Sequence, residues 1–297
     1  MKNIWSTWLI VFCVIAATVY YAGQTTFQQK TAPSLLRVGV LPDESEEVLR
    51  KRYGSLLAYF AAKTGLEFEL LVPASYSDLV QQFHDRKVDL AYFGGLTFIQ
   101  AHVFDNAVPL VVRDVDTRFT SWFLVRDDNP ARSLADLKGN AFAFGSKLST
   151  SGHLMPRYFL NKEKHITPEK FFGDIRYSGA HDKTAYLVRD GTVALGVANP
   201  EVVRAMIRDR RLRDNELRVL WETPAYTDYV WAVQDDLNSG VKTRLRDAFL
   251  ELDANDPAHS KILVGVGAGS FLPAGMSDFH SLQQIAESHG LLEPEVE

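Results

Sequence analysis

Ser149-Thr150-Ser151-Gly152 sets three hydroxyls where a strand-like run, 141–144, gives way to residues 154–160, whose apolar positions recur at helical spacing. Free backbone N–H groups and the positive end of the helix dipole collect at such a start. With a Gly that lets the backbone come close, the hydroxyls make a cradle for a small oxyanion. The same residues also suit a plain N-cap, which needs only one Ser or Thr. Further polar side chains fall at or near the carboxyl ends of strand-like runs, where ligands gather in α/β sheets. They are Tyr76, Tyr92, Thr97, His181, Glu201 and Asp228. Most have a plainer reading too. Tyr76 and Tyr92 suit a core or a rim, His181 a helix start, Glu201 a first turn and Asp228 a tight turn. Their shared location favours a ligand site.

Catalysis and metal binding lack their patterns. His153, His165 and His181 have no short paired spacing for a metal, and no Gly-x-Ser-x-Gly elbow occurs. Gly265-Val266-Gly267-Ala268-Gly269 has no Lys-Ser/Thr of a phosphate loop and reads as a turn. No catalytic residue, metal or cofactor is expected.

The elements that must carry these residues alternate. Strands are predicted at 35–41, 66–72, 88–93, 108–113 and 119–126, with helices at 46–64, 77–86 and 96–104 between them. This describes βαβ units on a largely parallel sheet. A second unit begins near Asp127, with strands at 141–144, 193–198, 217–221 and 229–233 and helices after Ser151, at 181–189 and from Pro200 to Arg211. Arg204, Arg208, Arg210, Arg211 and Arg213, interleaved with Asp209 and Asp214, read as a solvated face. The last third is predicted helical at 241–252 and 277–289.

Residues 4–22 carry no charge behind Lys2. Their length lies between a signal h-region and a membrane span, so residues 1–30 read as a signal peptide or an N-terminal anchor. Cys13, the sole cysteine, falls inside this run, so the exported part has no thiol. A formal charge of −5 on 297 residues argues against a nucleic-acid partner.

Six segments in consistent order resemble the periplasmic substrate-binding proteins of phosphonate, phosphite and phosphate ABC importers. They are Tyr53-Gly54-Ser55-Leu56, Val88 to Gly94, Ser133 to Gly139, Ser149 to Gly152, Gly179 to Asp182 and Phe271 to Ala274, and the likeness covers about residues 35 to 292. The resemblance implies a two-lobed type II periplasmic binding fold, each lobe a βα sheet with flanking helices, closing on an anion in the cleft between them. It implies ligand contacts from Tyr76, Tyr92, Ser149, Thr150, Ser151, His181, Glu201 and Asp228. Gly95-Leu96-Thr97 departs from the Pro or Asn more usual after that Gly and is similar to relatives proposed to bind other oxyanions, such as selenate. A thiol-based arsenite role is disfavoured, since Cys13 lies in the signal.

The expected division is 34–124 with 226–297 as lobe 1 and 125–225 as lobe 2, hinged near 121–125 and 223–233. The expected function is an extracytoplasmic solute-binding protein, not an enzyme, that delivers a phosphorus oxyanion or phosphonate to an ABC permease. A membrane-anchored sensory binder that signals to a partner is the alternative. An exported phosphoesterase on the same fold is the third reading.

Overall fold

The computed structural model describes residues 33–292. The segment 1–30, read above as signal or anchor, lies outside the described residues. From the start, the chain forms β1 (Leu35–Val40), α1 (Glu46–Thr64), β2 (Glu67–Leu71), α2 (Tyr76–His84), β3 (Leu90–Phe93), α3 (Gly95–Asp105) and β4 (Val108–Arg113). It crosses over to β5 (Trp122–Arg126), β6 (Ala141–Phe144), α4 (Met155–Lys164), α5 (Pro168–Phe171), β7 (Asp174–Tyr177), α6 (His181–Arg189), β8 (Leu195–Ala198), α7 (Pro200–Arg208) and β9 (Leu217–Glu222). It then returns through β10 (Val230–Val233), α8 (Ser239–Leu250), α9 (Pro257–Gly265), β11 (Phe271–Pro273) and α10 (His280–Ser288).

Two sheets result. The first runs β11-β4-β10-β3-β1-β2 and the second β7-β6-β8-β5-β9. Leu36, Val38 and Val40 share one face of β1 and are all buried, while on the other face Leu35 is exposed, Arg37 half-buried and Gly39 buried. Helix α1 turns Leu49, Tyr53, Leu56, Leu57 and Phe60 inward and stops at Gly65, whose φ of 70° suits a residue without Cβ.

The expectation of a largely parallel sheet needs correction. β1 pairs in parallel with β2 and β3, but β10 is antiparallel to β3 and β4, and β11 is antiparallel to β4. The chain re-enters the first sheet from the other lobe, so its returning strands run the opposite way. The boundary expected at 124/125 falls within β5, which pairs with β8 and β9 of the second sheet from Trp122 onward. The crossing segments are therefore 114–121 and 223–229. They are stitched together by the Phe119–Tyr226 bridge and by the Ser121 N–H donating to Thr223 Oγ1 at 2.9 Å.

Residues Thr150–Leu154 form a π-type turn before α4, not the plain helix start read from the sequence. The Met155 N–H reaches back to the Thr150 carbonyl, and all five residues of this wider turn are buried. Strands β7 and β11 and helix α9 were not foreseen. β7 and β11 are short and lie at sheet edges, where alternation has little to pack against. The core of the first sheet extends across the lobes to Leu154, Met155 and Phe159. Separate clusters around Phe142 and around Val188 fill the two faces of the second.

Candidate functional site

His181 opens α6 and is fully buried. The backbone N–H of Asn199, just past β8, donates to His181 Nδ1 at 3.1 Å. A neutral imidazole that accepts at one nitrogen donates from the other, so Nε2 carries the proton. Burial pushes the imidazolium down to about 4, although Asp182 and Glu44 pull upward, so the ring is neutral at physiological pH. Nε2 faces the hydroxyls of Tyr229 at 3.3 Å, Tyr76 at 3.4 Å and Ser149 at 3.5 Å. Asp43 Oδ1 lies 3.8 Å from it and accepts the Tyr76 hydroxyl. Burial pushes the Asp43 carboxyl up to about 6, against the Tyr76 and Tyr229 hydroxyls and the charges of Arg52 and Arg113. The Asn199 side chain donates to Tyr229 Oη at 3.1 Å, while its oxygen caps α7 through the N–H groups of Glu201 and Val202.

The lobes meet here. The His181 N–H donates across the cleft to the Asp43 carbonyl at 3.0 Å. At the start of α3, the Leu96 N–H donates to Thr150 Oγ1 at 2.9 Å and the Gly95 N–H to Asp228 Oδ1 at 3.0 Å. Gly95 leaves no room for a side chain, since a Cβ there would come within 2.3 Å of Leu282 and 3.4 Å of the Asp228 carbonyl oxygen. That close approach accounts for the departure at this position. At Gly152 a Cβ would meet Ser149 Oγ at 2.8 Å and His181 Cε1 at 3.0 Å. Asp228 is fully buried. Burial pushes it up to about 7; the Gly95 N–H and the Thr150 and Ser151 hydroxyls oppose that, and Asp116 adds to it.

Three buried polar atoms here make no hydrogen bond of standard geometry: Ser151 Oγ, which lies beside Asp228 and Tyr226, Tyr92 Oη and Asp228 Oδ2. Such atoms are rare in a finished core, and each leaves a hydrogen-bond valence open at this locus. The Tyr92 ring stacks on Tyr229 at 5.2 Å, and the Arg113 guanidinium sits 5.5 Å from both ring centroids. Arg113 itself is held by Asp116 at 2.7 Å and donates to the Val266 carbonyl at 2.9 Å. An ion pair also bridges the lobes beside the site. Buried Glu44 of the first lobe pairs with Arg211 of the second and with Arg52 of its own. Arg211 therefore does not belong to the solvated face expected of that arginine run, because Glu44 draws it inward.

The structure brings Tyr76, Tyr92, Ser149, Thr150, Ser151, His181 and Asp228 to one interlobe locus. Thr97 is buried nearby, with its hydroxyl given to the Gly94 carbonyl at 3.0 Å. Glu201 is not gathered into the cluster. Its carboxylate pairs with Arg204, which lies over the Trp122 ring at 4.5 Å, and it stands at the rim near Gly267. Sequence reasoning missed Asp43, Asn199 and Tyr229. Asp43 follows β1 and Asn199 follows β8, so the rule about strand carboxyl ends could have found both. Among the described residues no His, Cys, Asp and Glu side chains cluster as a metal site. No described helix is long and apolar enough to cross a membrane.

The model of the family described as "ABC transporter, phosphonate, periplasmic substrate-binding protein" matches residues 38–279. The chain belongs to this family. This phosphonate-family chain is 32% identical over 268 residues to the probable ABC transporter phosphite binding protein PhnD1 of Prochlorococcus marinus (strain MIT 9301), covering 85% of its own length and 89% of the relative. It is 23% identical over 258 residues to the phosphonates-binding periplasmic protein of Escherichia coli K12, covering 84% and 75% of the two. The crystal structure of the Prochlorococcus PhnD1 with methylphosphonate superposes at a TM-score of 0.81, covering 87% of this chain and 99% of that one. The family places its members outside the cytoplasmic membrane as the substrate-binding components of importers. The expectations of that family, of its two-lobed fold and of a phosphorus-oxyanion binder for an ABC importer are met.

Proposed function

We propose that this chain captures a small phosphorus oxyanion, of the size of phosphite or methylphosphonate, between its lobes and presents the closed form to an ABC permease. The observation that carries this reading is the interlobe cluster of donors with open valences. Ser151 and Tyr92 offer buried hydroxyls that make no hydrogen bond of standard geometry, and His181 offers Nε2–H. Ser149 and Tyr76 add hydroxyls at its edge. Hydrogen bonds to a charged acceptor contribute about 1.5–3 kcal/mol each, so a few suffice for micromolar capture. The phosphite and methylphosphonate named for the Prochlorococcus relative are ligands of this size. The lobes hinge about 114–121 and 223–229, residues 1–30 direct export, and the protein turns nothing over.

Calorimetric titration with phosphite, methylphosphonate, phosphate, sulfate and selenate is the test. Phosphorus anions binding more tightly than sulfate and selenate support the reading. Selenate or sulfate binding tightest overturns it.

A further inference from the structure

We propose that Asp43 makes this site demand a proton on its ligand, so that phosphorus oxyanions carrying an O–H are accepted and isosteric anions without one are turned away. This rests on the phosphorus-anion reading above and adds a condition to it.

Asp43 is surrounded by hydroxyls and an imidazole. From α2 the Tyr76 hydroxyl donates to its Oδ1. From the segment before β10, Tyr229 receives the Asn199 amide on its oxygen, and its own O–H steadies the Asp43 carboxylate. From α6, His181 Nε2–H lies 3.8 Å away. These are the same donors a bound anion needs. An anion that takes them leaves Asp43 as a buried carboxylate stripped of partners beside a second negative charge, which is a prohibitive arrangement.

Two cations lie close enough to act on Asp43, and both are already committed. Arg52 of α1 pairs with Glu44, and Arg113 of β4 is held by Asp116 and the Val266 carbonyl. Across the site stands another carboxylate, Asp228, whose Oδ2 makes no hydrogen bond of standard geometry. The locus thus holds two buried carboxylates with its nearest guanidinium groups occupied. A ligand O–H resolves the conflict, because it donates to Asp43 while its other oxygens accept from Tyr76, Tyr229 and His181. A dianion can enter only with a proton taken from solvent, which gives the same proton count.

Methanesulfonate and methylphosphonate share size and shape, but the sulfonate has no O–H near neutral pH. Because burial holds the Asp43 carboxyl up at about 6, it can take a proton itself, so near pH 7 we expect wild type to bind methylphosphonate about tenfold more tightly, and Asp43→Asn to remove most of that ratio. Calorimetry on the wild type in two buffers of different ionisation heat should show net proton uptake at about pH 8.5, where the free ligand is a dianion. That second measurement keeps the test open if the variant does not fold. Methanesulfonate binding within about threefold of methylphosphonate overturns the proposal. So does an unchanged ratio in a folded Asp43→Asn, or zero proton uptake in the wild type. Failure of every phosphorus anion to bind at any pH would instead remove the function proposed above.

Discussion

Removing the charge at position 228 should change how stability depends on pH in the ligand-free protein. The Asp228 carboxyl moves from its ordinary 3.8 to about 7 on folding, chiefly because it is buried. Between those values the folded chain binds more protons than the unfolded one, so stability falls as pH rises through that window. For these two values the group costs about 2 kcal/mol at about pH 5 and about 4 kcal/mol at about pH 8. Asp228→Asn keeps an oxygen for the Gly95 N–H but cannot ionise. Its stability relative to wild type should therefore rise by about 2–3 kcal/mol between about pH 5 and about pH 8. Urea unfolding followed by tryptophan fluorescence at both pH values measures this. Any fixed packing cost of the amide cancels in the comparison, as does the titration of Asp43, which both proteins share. A difference between variant and wild type that stays constant to within about 0.5 kcal/mol would refute the reasoning.

Two further outcomes follow from the same geometry. Ser149→Ala and Ser151→Ala should each weaken methylphosphonate binding by roughly tenfold to a hundredfold, from the loss of a hydrogen bond to a charged group, and calorimetry showing native affinity in both would dismiss the hydroxyl cradle. Arg211→Met removes an interlobe ion pair without touching the ligand, so it should speed ligand release about tenfold in stopped-flow and enlarge the ligand-free protein in small-angle scattering; unchanged release and radius would mean that Glu44 and Arg211 do not hold the lobes together.

Much of the site was legible because strand ends concentrate ligand residues, and the Ser-Thr-Ser-Gly run sits at such an end. What the sequence hid was pairing. Nothing in the run from Pro200 to Arg213 indicates that Arg211 leaves its neighbours for Glu44 of the other lobe, because that contact exists only once the lobes meet. Likewise Tyr229 reads as one more residue of a buried strand, and only the fold brings its hydroxyl within 3.3 Å of His181. The mixed sheet was missed for a related reason. Local alternation specifies a strand but not its direction, and β10 runs antiparallel because the chain has been through another lobe first. Glu201 met the rule for strand ends and still points to the rim, since Arg204 three residues on captures its carboxylate.

The insertion of β10 between β3 and β4 also governs how this molecule assembles. A chain made from its N-terminus presents β1 to β4 long before residue 230 arrives. Until then β3 and β4 each carry an open edge of unpaired N–H and C=O groups, flanked by apolar strands that invite pairing with a neighbour. The strands of the second sheet all lie between residues 122 and 222, so none of their pairings waits for β10. The first lobe must wait, held open by a loop closure of more than one hundred residues whose entropy is lost before the contact is made. Residues 230–233 then join β3 to β4 and set the strand that follows Asp228 and Tyr229 beside the strand that bears Tyr92, with β11 still to add to the edge of β4. The pairing that closes the gap between β3 and β4 is thus also the one that sets Tyr92 against Tyr229, and a chain ending before residue 230 lacks that juxtaposition.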